Sequence, residues 1–240
     1  MTIPIIHQAP RRPHAARENR KLFDAAGTIC LNLLGAPASG KTALLAAILP
    51  RLTREVRVGV IEAGLASTAD AQRLEALGVP VVQLLTDGRC HVAAEQVRHA
   101  LHELPLSDLD LLIIENTGGL PCQALTDLGE HVRATTLSVS QGHAVVGKYP
   151  LAFSSARLIL VTKYDLLPHT DFDLDGTVRQ LGRISPGAEV VCTDTRRRLG
   201  TDRVAGWLLG YVRAQLFRRP LSVVTEATVD MSTGCLAPQA

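Results

Sequence analysis

Three groups of residues have the types and spacing that chemistry requires. Gly35-Ala36-Pro37-Ala38-Ser39-Gly40-Lys41-Thr42 fits the pattern G-x-x-x-x-G-K-[ST], whose glycines let the backbone curl so that successive N–H groups meet phosphate oxygens. In such a loop Gly35, Ala38, Ser39 and Gly40 cradle the phosphates, Lys41 neutralises the β- and γ-phosphates, and the Thr42 hydroxyl binds Mg²⁺. A helix starting near Lys41 adds the positive end of its dipole.

Thr162-Lys163-Tyr164-Asp165 has the form of the guanine-specificity motif usually written Asn-Lys-x-Asp, with Thr in the first place. The Asp165 carboxylate could accept hydrogen bonds from N1–H and the 2-amino group of guanine, a pairing adenine cannot supply. The aliphatic stem of Lys163 would lie along the base plane. Alone, this tetrapeptide is a charged strand end; downstream of a phosphate loop it makes GTP the favoured ligand. Between the two motifs, 111–118 is an apolar strand that ends in Glu115, followed three residues later by Gly118. Glu115 could reach Mg²⁺ through water, and the Gly118 N–H could sense a γ-phosphate that hydrolysis removes. Lys41, Thr42 and Glu115 are therefore the candidate catalytic residues.

The third group is Cys90-His91 and Cys122. Both fall just after apolar strands, on the sheet edge where α/β proteins bind ligands. Two thiolates and an imidazole suit Zn²⁺ or Ni²⁺ but leave a tetrahedral shell one ligand short, a gap that a symmetric dimer could fill. Spacing alone leaves an exposed Cys-His dipeptide and an unrelated cysteine as the plainer reading.

The elements that must position these groups are short apolar runs alternating with amphipathic stretches. Strands are expected at 29–34, 56–61, 79–84, 109–114, 134–139, 158–161 and 189–192, with helices near 41–52, 69–77, 92–103, 172–183 and 202–217. This order predicts an α/β fold: a single P-loop NTPase domain with a mostly parallel sheet and helices on both faces. The Arg- and Pro-rich residues 1–24 read as an N-terminal arm or short helix, 25–218 as the GTPase domain with its metal site, and 219–240 as a weakly ordered tail.

Composition narrows the function classes. The 240 residues carry a net charge of +2, which argues against a nucleic-acid binder with a basic face. Aromatics make up only 3%, too few for base-stacking platforms. No apolar run reaches the ~18 residues of a membrane span, and the N-terminus lacks a signal-peptide pattern, so a cytoplasmic protein without membrane or nucleic-acid partners is expected. Five cysteines in such a chain read as thiols or metal ligands rather than a disulfide framework, with Cys30 and Cys192 in strands and Cys235 in the tail.

Taken together, the motifs resemble the hydrogenase nickel-incorporation GTPases, the HypB-type proteins of the SIMIBI class of P-loop GTPases. The resemblance rests on Gly40-Lys41-Thr42-Ala43-Leu44-Leu45, Val60-Ile61-Glu62, Asp70-Ala71-Gln72-Arg73, Gly88-Arg89-Cys90-His91, Ile114-Glu115-Asn116, Asp127-Leu128-Gly129-Glu130, Lys148-Tyr149-Pro150 and 162–168, in family order. It implies a GTPase that dimerises with nucleotide and delivers Ni²⁺ to the [NiFe]-hydrogenase large subunit with an accessory metallochaperone. It also implies metal-ligand roles for Cys90, His91 and Cys122. The chain departs from the family where Gly64 stands in for an acidic Mg²⁺-site residue, where the guanine loop reads Thr193-Asp194-Thr195 before three arginines, and at 143–147. It has no N-terminal cysteine motif or histidine-rich tract. Slow GTP hydrolysis is expected, and the alternative is a non-hydrolysing paralogue acting as a metal-binding scaffold.

Overall fold

The computed structural model describes residues 4–6, 14–64, 68–86 and 91–217. In chain order the elements are β1 (Ile5–Ile6), α1 (Ala15–Ala26), β2 (Ile29–Gly35), α2 (Lys41–Leu52), β3 (Val58–Gly64) and α3 (Ala69–Glu75). They continue with β4 (Val81–Leu85), α4 (Ala94–Ala100), β5 (Leu111–Glu115), α5 (Leu120–Leu125), β6 (Val132–Ser138) and α6 (Ala144–Lys148). The chain then forms α7 (Pro150–Ser154), β7 (Leu158–Thr162), α8 (Leu174–Ile184), β8 (Glu189–Cys192) and α9 (Thr201–Phe217). The eight strands form one sheet in the order β1-β4-β3-β5-β2-β6-β7-β8, and every pairing between them is parallel. The expected α/β P-loop fold, with helices on both faces, is the one observed.

Strand alternation explains the two faces. Ile29, Leu31 and Leu33 of β2 point to one side, where they pack with Leu44, Leu45, Ile48 and Leu49 of α2 and Leu208 of α9. On the other side Cys30, Leu112 and Ile114 meet Phe23 of α1 and Val97 of α4, while Leu137, Ile159 and Val161 meet Phe153 of α7 and Leu181 of α8. A parallel sheet covered this way must be apolar on both faces, which is why the strands read as continuous apolar runs.

The strands nearest the phosphate loop run further toward their carboxyl ends than apolar runs suggest. β3 continues through Glu62, Ala63 and Gly64, and β5 ends on Glu115. Polar residues persist there because the carboxyl ends of β2, β3 and β5 face the site rather than a helix. Near the N-terminus, α1 buries Ala15, Asn19 and Phe23, spaced at i, i+4 and i+8, beneath an otherwise charged helix. The proposed tail at 219–240, with Cys235, and most of the chain before α1 lie outside the described residues. Among the described residues, no helix is long and apolar enough to cross a membrane.

Candidate functional site

The loop from β2 to α2 is shaped by close packing. A Cβ at Gly35 would collide with the Thr136 hydroxyl, and Gly40 has φ +89° at the start of α2, so both positions require glycine. Ser39 turns its hydroxyl inward to Thr136 Oγ1 at 2.6 Å. The Thr162 hydroxyl donates to the Ser39 carbonyl at 2.6 Å, so the threonine that opens the base motif fastens it to the phosphate loop. Lys41 is buried, and its ammonium donates to the carbonyls of Gly35 (3.0 Å) and Ala36 (3.2 Å). Burial lowers its pKa, against which Glu115, Glu62 and Asp70 act to raise it.

Two cavities adjoin this loop. One, of about 670 Å³, is lined by Ala38, Gly40, Lys41 and Thr42 together with Glu62, Asp70, Glu115 and Lys163. The second, of about 330 Å³, is lined by Thr162, Lys163, Asp165, Asp194, Thr195 and Arg196, and shares Gly40, Ala43 and Lys163 with the first. Lys163 adopts a left-handed backbone (φ 55°) at the end of β7. The stretch Thr193-Asp194-Thr195 closes the second cavity as a turn: Asp194 Oδ1 accepts from the N–H of Arg196 (3.0 Å) and Arg197 (3.2 Å), and Asp194 bridges Leu199.

Carboxylates cluster in the larger cavity. Glu115 Oε1 accepts a 2.6 Å hydrogen bond from the Thr42 hydroxyl. Glu62 lies in register with Glu115 on β5 and with Gln83 on β4, so all three point to one face of the sheet. Glu62 and Glu115 are each only 4% exposed, and each keeps one buried oxygen, Oε2, without a hydrogen-bond partner. Burial, then Glu115 and Asp70, push the Glu62 carboxyl up to about 8 despite a hydrogen bond with Gln83. Burial also raises Glu115, with Thr42 and Lys41 opposing.

Of the residues that the sequence singles out, Ala38, Gly40, Lys41, Thr42, Glu115 and Lys163 line the first cavity and Asp165 the second. Gly35, Ser39 and Gly118 are absent from both linings. Gly35 and Gly118 are instead held by Gln123 of α5, a buried residue that sequence reasoning passed over. Its signal was only its place beside Cys122. Sequence reasoning also missed the buried chain behind β5. Asn116 donates to Asn32 (3.2 Å), and Asn32 donates to Glu130 (3.1 Å), which pairs with Arg133. The Asn116 side-chain oxygen accepts from the N–H of Thr117 (2.9 Å) and Val92 (3.4 Å), tying the loop after β5 to the segment that carries His91.

The expected metal residues are placed in part. Cys122 is half-buried in the first turn of α5, His91 precedes α4, and Cys90 lies outside the described residues. Among the described residues, no three His, Cys, Asp or Glu side chains gather as a metal cluster. Cys30 is a buried thiol whose pKa burial raises well above the ordinary value.

Comparison with known proteins identifies relatives. The family model described as CobW/HypB/UreG, nucleotide-binding domain, matches residues 29–192. The chain is 41% identical over 193 residues to the hydrogenase maturation factor HypB of Azotobacter vinelandii, covering 80% of this chain and 64% of that protein. It is 38% identical to HypB of Escherichia coli K12, covering 80% of this chain and 67% of the other. The chain thus spans about two thirds of the length of these relatives. Among solved structures, HypB from Archaeoglobus fulgidus superposes with a TM-score of 0.78 at 33% identity, covering 83% of this chain and 97% of the other. HypB from Helicobacter pylori in complex with nickel gives 0.79 at 28% identity, covering 84% and 95%.

Proposed function

Because the chain belongs to the CobW/HypB/UreG nucleotide-binding family, we propose that it binds and slowly hydrolyses GTP and helps insert nickel during [NiFe]-hydrogenase maturation. One observation carries the nucleotide half of this reading. The phosphate-loop cavity and the Asp165 cavity share Gly40, Ala43 and Lys163, so one nucleotide can span both, with its base against Asp165. On binding, Lys41 would exchange the Gly35 and Ala36 carbonyls for phosphate oxygens, a swap between partners already within reach.

The residues also fit Mg²⁺. The Thr42 hydroxyl and the partnerless Glu115 Oε2 are oxygen donors in the same cavity, the donor type this cation takes. Mg²⁺ bound there would neutralise charge that develops on the transferred phosphate. Thr42 would turn its hydroxyl from Glu115 toward the ion, and Glu115 would be held as the carboxylate.

Cys90, His91 and Cys122 are the proposed ligands for the Ni²⁺ or Zn²⁺ cargo, completed across a nucleotide-dependent homodimer. Leu125 of α5 is 76% exposed and Leu151 of α7 is 60% exposed, on two helices that pack together beside Cys122. That apolar surface suits a second copy of the chain. The accessory metallochaperone and the hydrogenase large subunit are the proposed further partners, and the cytoplasm is the proposed compartment.

The rival is a non-hydrolysing scaffold, favoured by Gly64 where the resemblance calls for an acid. Competition of GTP and ATP for the Mg²⁺-loaded protein, followed by single-turnover hydrolysis, separates the readings. Guanine-selective binding with slow phosphate release supports the GTPase. Equal affinity for ATP sinks the guanine assignment, and selective binding without phosphate release leaves the scaffold standing.

A further inference from the structure

We infer that Glu62 is a second carboxylate of the Mg²⁺ site and fills the place left by the missing side chain at position 64. The inference rests on the nucleotide reading above and adds to it a residue that the sequence motifs did not assign.

Its basis is geometric. Glu62 and Glu115 are direct neighbours across the β3–β5 ladder and point into the same cavity as Lys41 and Thr42. Each is nine-tenths buried and keeps one oxygen with neither water access nor a hydrogen-bond partner. A single buried acid could be a structural leftover. Two side by side, both aimed at the phosphate cavity with an oxygen unspent, can be ionised together only beside added positive charge, which a bound cation supplies. Lys41 does not supply it by contact, because its ammonium is committed to the Gly35 and Ala36 carbonyls. Among cations, an all-oxygen donor set beside a phosphate loop selects a hard divalent ion that shares its shell with phosphate oxygens and water.

Gly64 completes the arrangement. A Cβ built on Gly64 would lie 3.2 and 3.4 Å from the two Glu62 carboxylate oxygens, so that carboxylate occupies the space in front of position 64. Gln83 borders the same space from β4 and hydrogen-bonds Glu62. A side chain at 64 would make the Glu62 carboxylate and the Gln83 amide give way by a few tenths of an ångström; with none there, Glu62 reaches that space undisturbed.

The test measures the Mg²⁺ dependence of GDP affinity with a fluorescent guanine nucleotide, and Mn²⁺ binding to the GDP complex by electron paramagnetic resonance. The full chain, Glu62→Gln, Glu62→Asp and the double variant Glu62→Gln/Gly64→Asp are compared. Glu62→Gln is expected to lower Mn²⁺ affinity roughly 10- to 100-fold, the range for groups that hold or orient a metal site. Cooperative thermal unfolding of the variant at or above the temperature of the unaltered apo-protein shows that the fold survives. Glu62→Asp should lie between, and the double variant should recover most of the loss because position 64 then supplies the acid. A Glu62→Gln protein that keeps its full Mg²⁺ and Mn²⁺ response overturns the inference. If the unaltered chain binds GDP without any Mg²⁺ effect, the Mg²⁺ site falls with it, and failure of the unaltered chain to bind guanine nucleotide at all marks failure of the underlying reading instead.

Discussion

Gln123 holds Gly35 by both of its backbone polar groups: the Gly35 N–H donates to Gln123 Oε1 at 2.9 Å, and Gln123 Nε2 donates to the Gly35 carbonyl at 3.2 Å. The same amide nitrogen reaches the Gly118 carbonyl at 2.7 Å. One buried side chain on α5 therefore joins the start of the phosphate loop to the loop after β5, one residue from Cys122. Gln123→Met fills the same volume without these bonds and leaves buried backbone groups unpaired. It should destabilise the chain by roughly 1–3 kcal/mol, read by urea unfolding. If nucleotide state reaches Cys122 along this path, the variant should also narrow the difference in Ni²⁺ affinity between the GDP form and a form bound to a GTP analogue. An undiminished difference would show that the coupling runs elsewhere.

Asp165 sits in the smaller cavity with Lys163 and Thr195. A carboxylate there can accept two hydrogen bonds from guanine, whereas an amide presents a donor that matches the 2-keto group of xanthine. Asp165→Asn should therefore cost about 100-fold or more in GTP affinity while raising affinity for XTP, because discrimination of this kind follows from leaving buried polar groups unpaired. Competition binding with both nucleotides checks it. A parallel loss for both would mean that the side chain only shapes the turn.

Cys122 begins α5, and Leu125 on the same helix is exposed. If the metal is shared across a dimer axis, Cys122→Ala should abolish tight Ni²⁺ and Zn²⁺ binding, and the intact protein should bind one ion per two chains. Leu125→Glu should reduce nucleotide-dependent dimerisation in analytical ultracentrifugation and weaken metal binding with it. One tightly bound ion per monomer would rule out the shared site.

The legible parts of this molecule were those where a local pattern coincides with a physical necessity. The phosphate loop shows itself because Gly35 and Gly40 admit no side chain, and the strands show themselves because both faces are covered. Glu62 was legible only as an acid of the family-like stretch Val60-Ile61-Glu62, two residues before Gly64; the register with Glu115 reveals where it points. Helix α1 was legible only as an arm or short helix, for a different reason: its inward stripe is Ala15, Asn19 and Phe23, among the charged neighbours Arg17, Glu18, Arg20, Lys21 and Asp24 that dominate the composition. Asn19 shows why the stripe is hard to see. It is buried yet polar, and its amide nitrogen donates to the carbonyls of Ala94 and Leu128, far away in sequence. Gln123 and Asn116 are the same case. Their partners include Gly35, for Gln123, and Asn32 and Val92, for Asn116, on other segments, and no spacing along the chain encodes those contacts.

The Glu62 carboxyl gives the nucleotide- and Mg²⁺-free protein a pH dependence of definite sign. In the unfolded chain a glutamate loses its proton near 4.5, whereas in the fold Glu62 holds it up to about 8. Between those values the folded state binds more protons than the unfolded state, so this group's contribution to stability falls as pH rises through the interval and levels off above about 8. Glu62→Gln removes that dependence, since its side chain stays neutral throughout. The variant should therefore melt above the unaltered apo-protein at pH 8, by roughly 4–8 °C if a couple of kcal/mol are at stake. The gap should shrink steadily toward pH 5. Differential scanning fluorimetry across this range is sufficient, because acids remote from Glu62 titrate alike in both proteins and cancel in the difference. A gap that stays constant with pH would mean that Glu62 is ionised in the fold throughout and that its oxygens are compensated by charge already present, with Lys41 the nearest source.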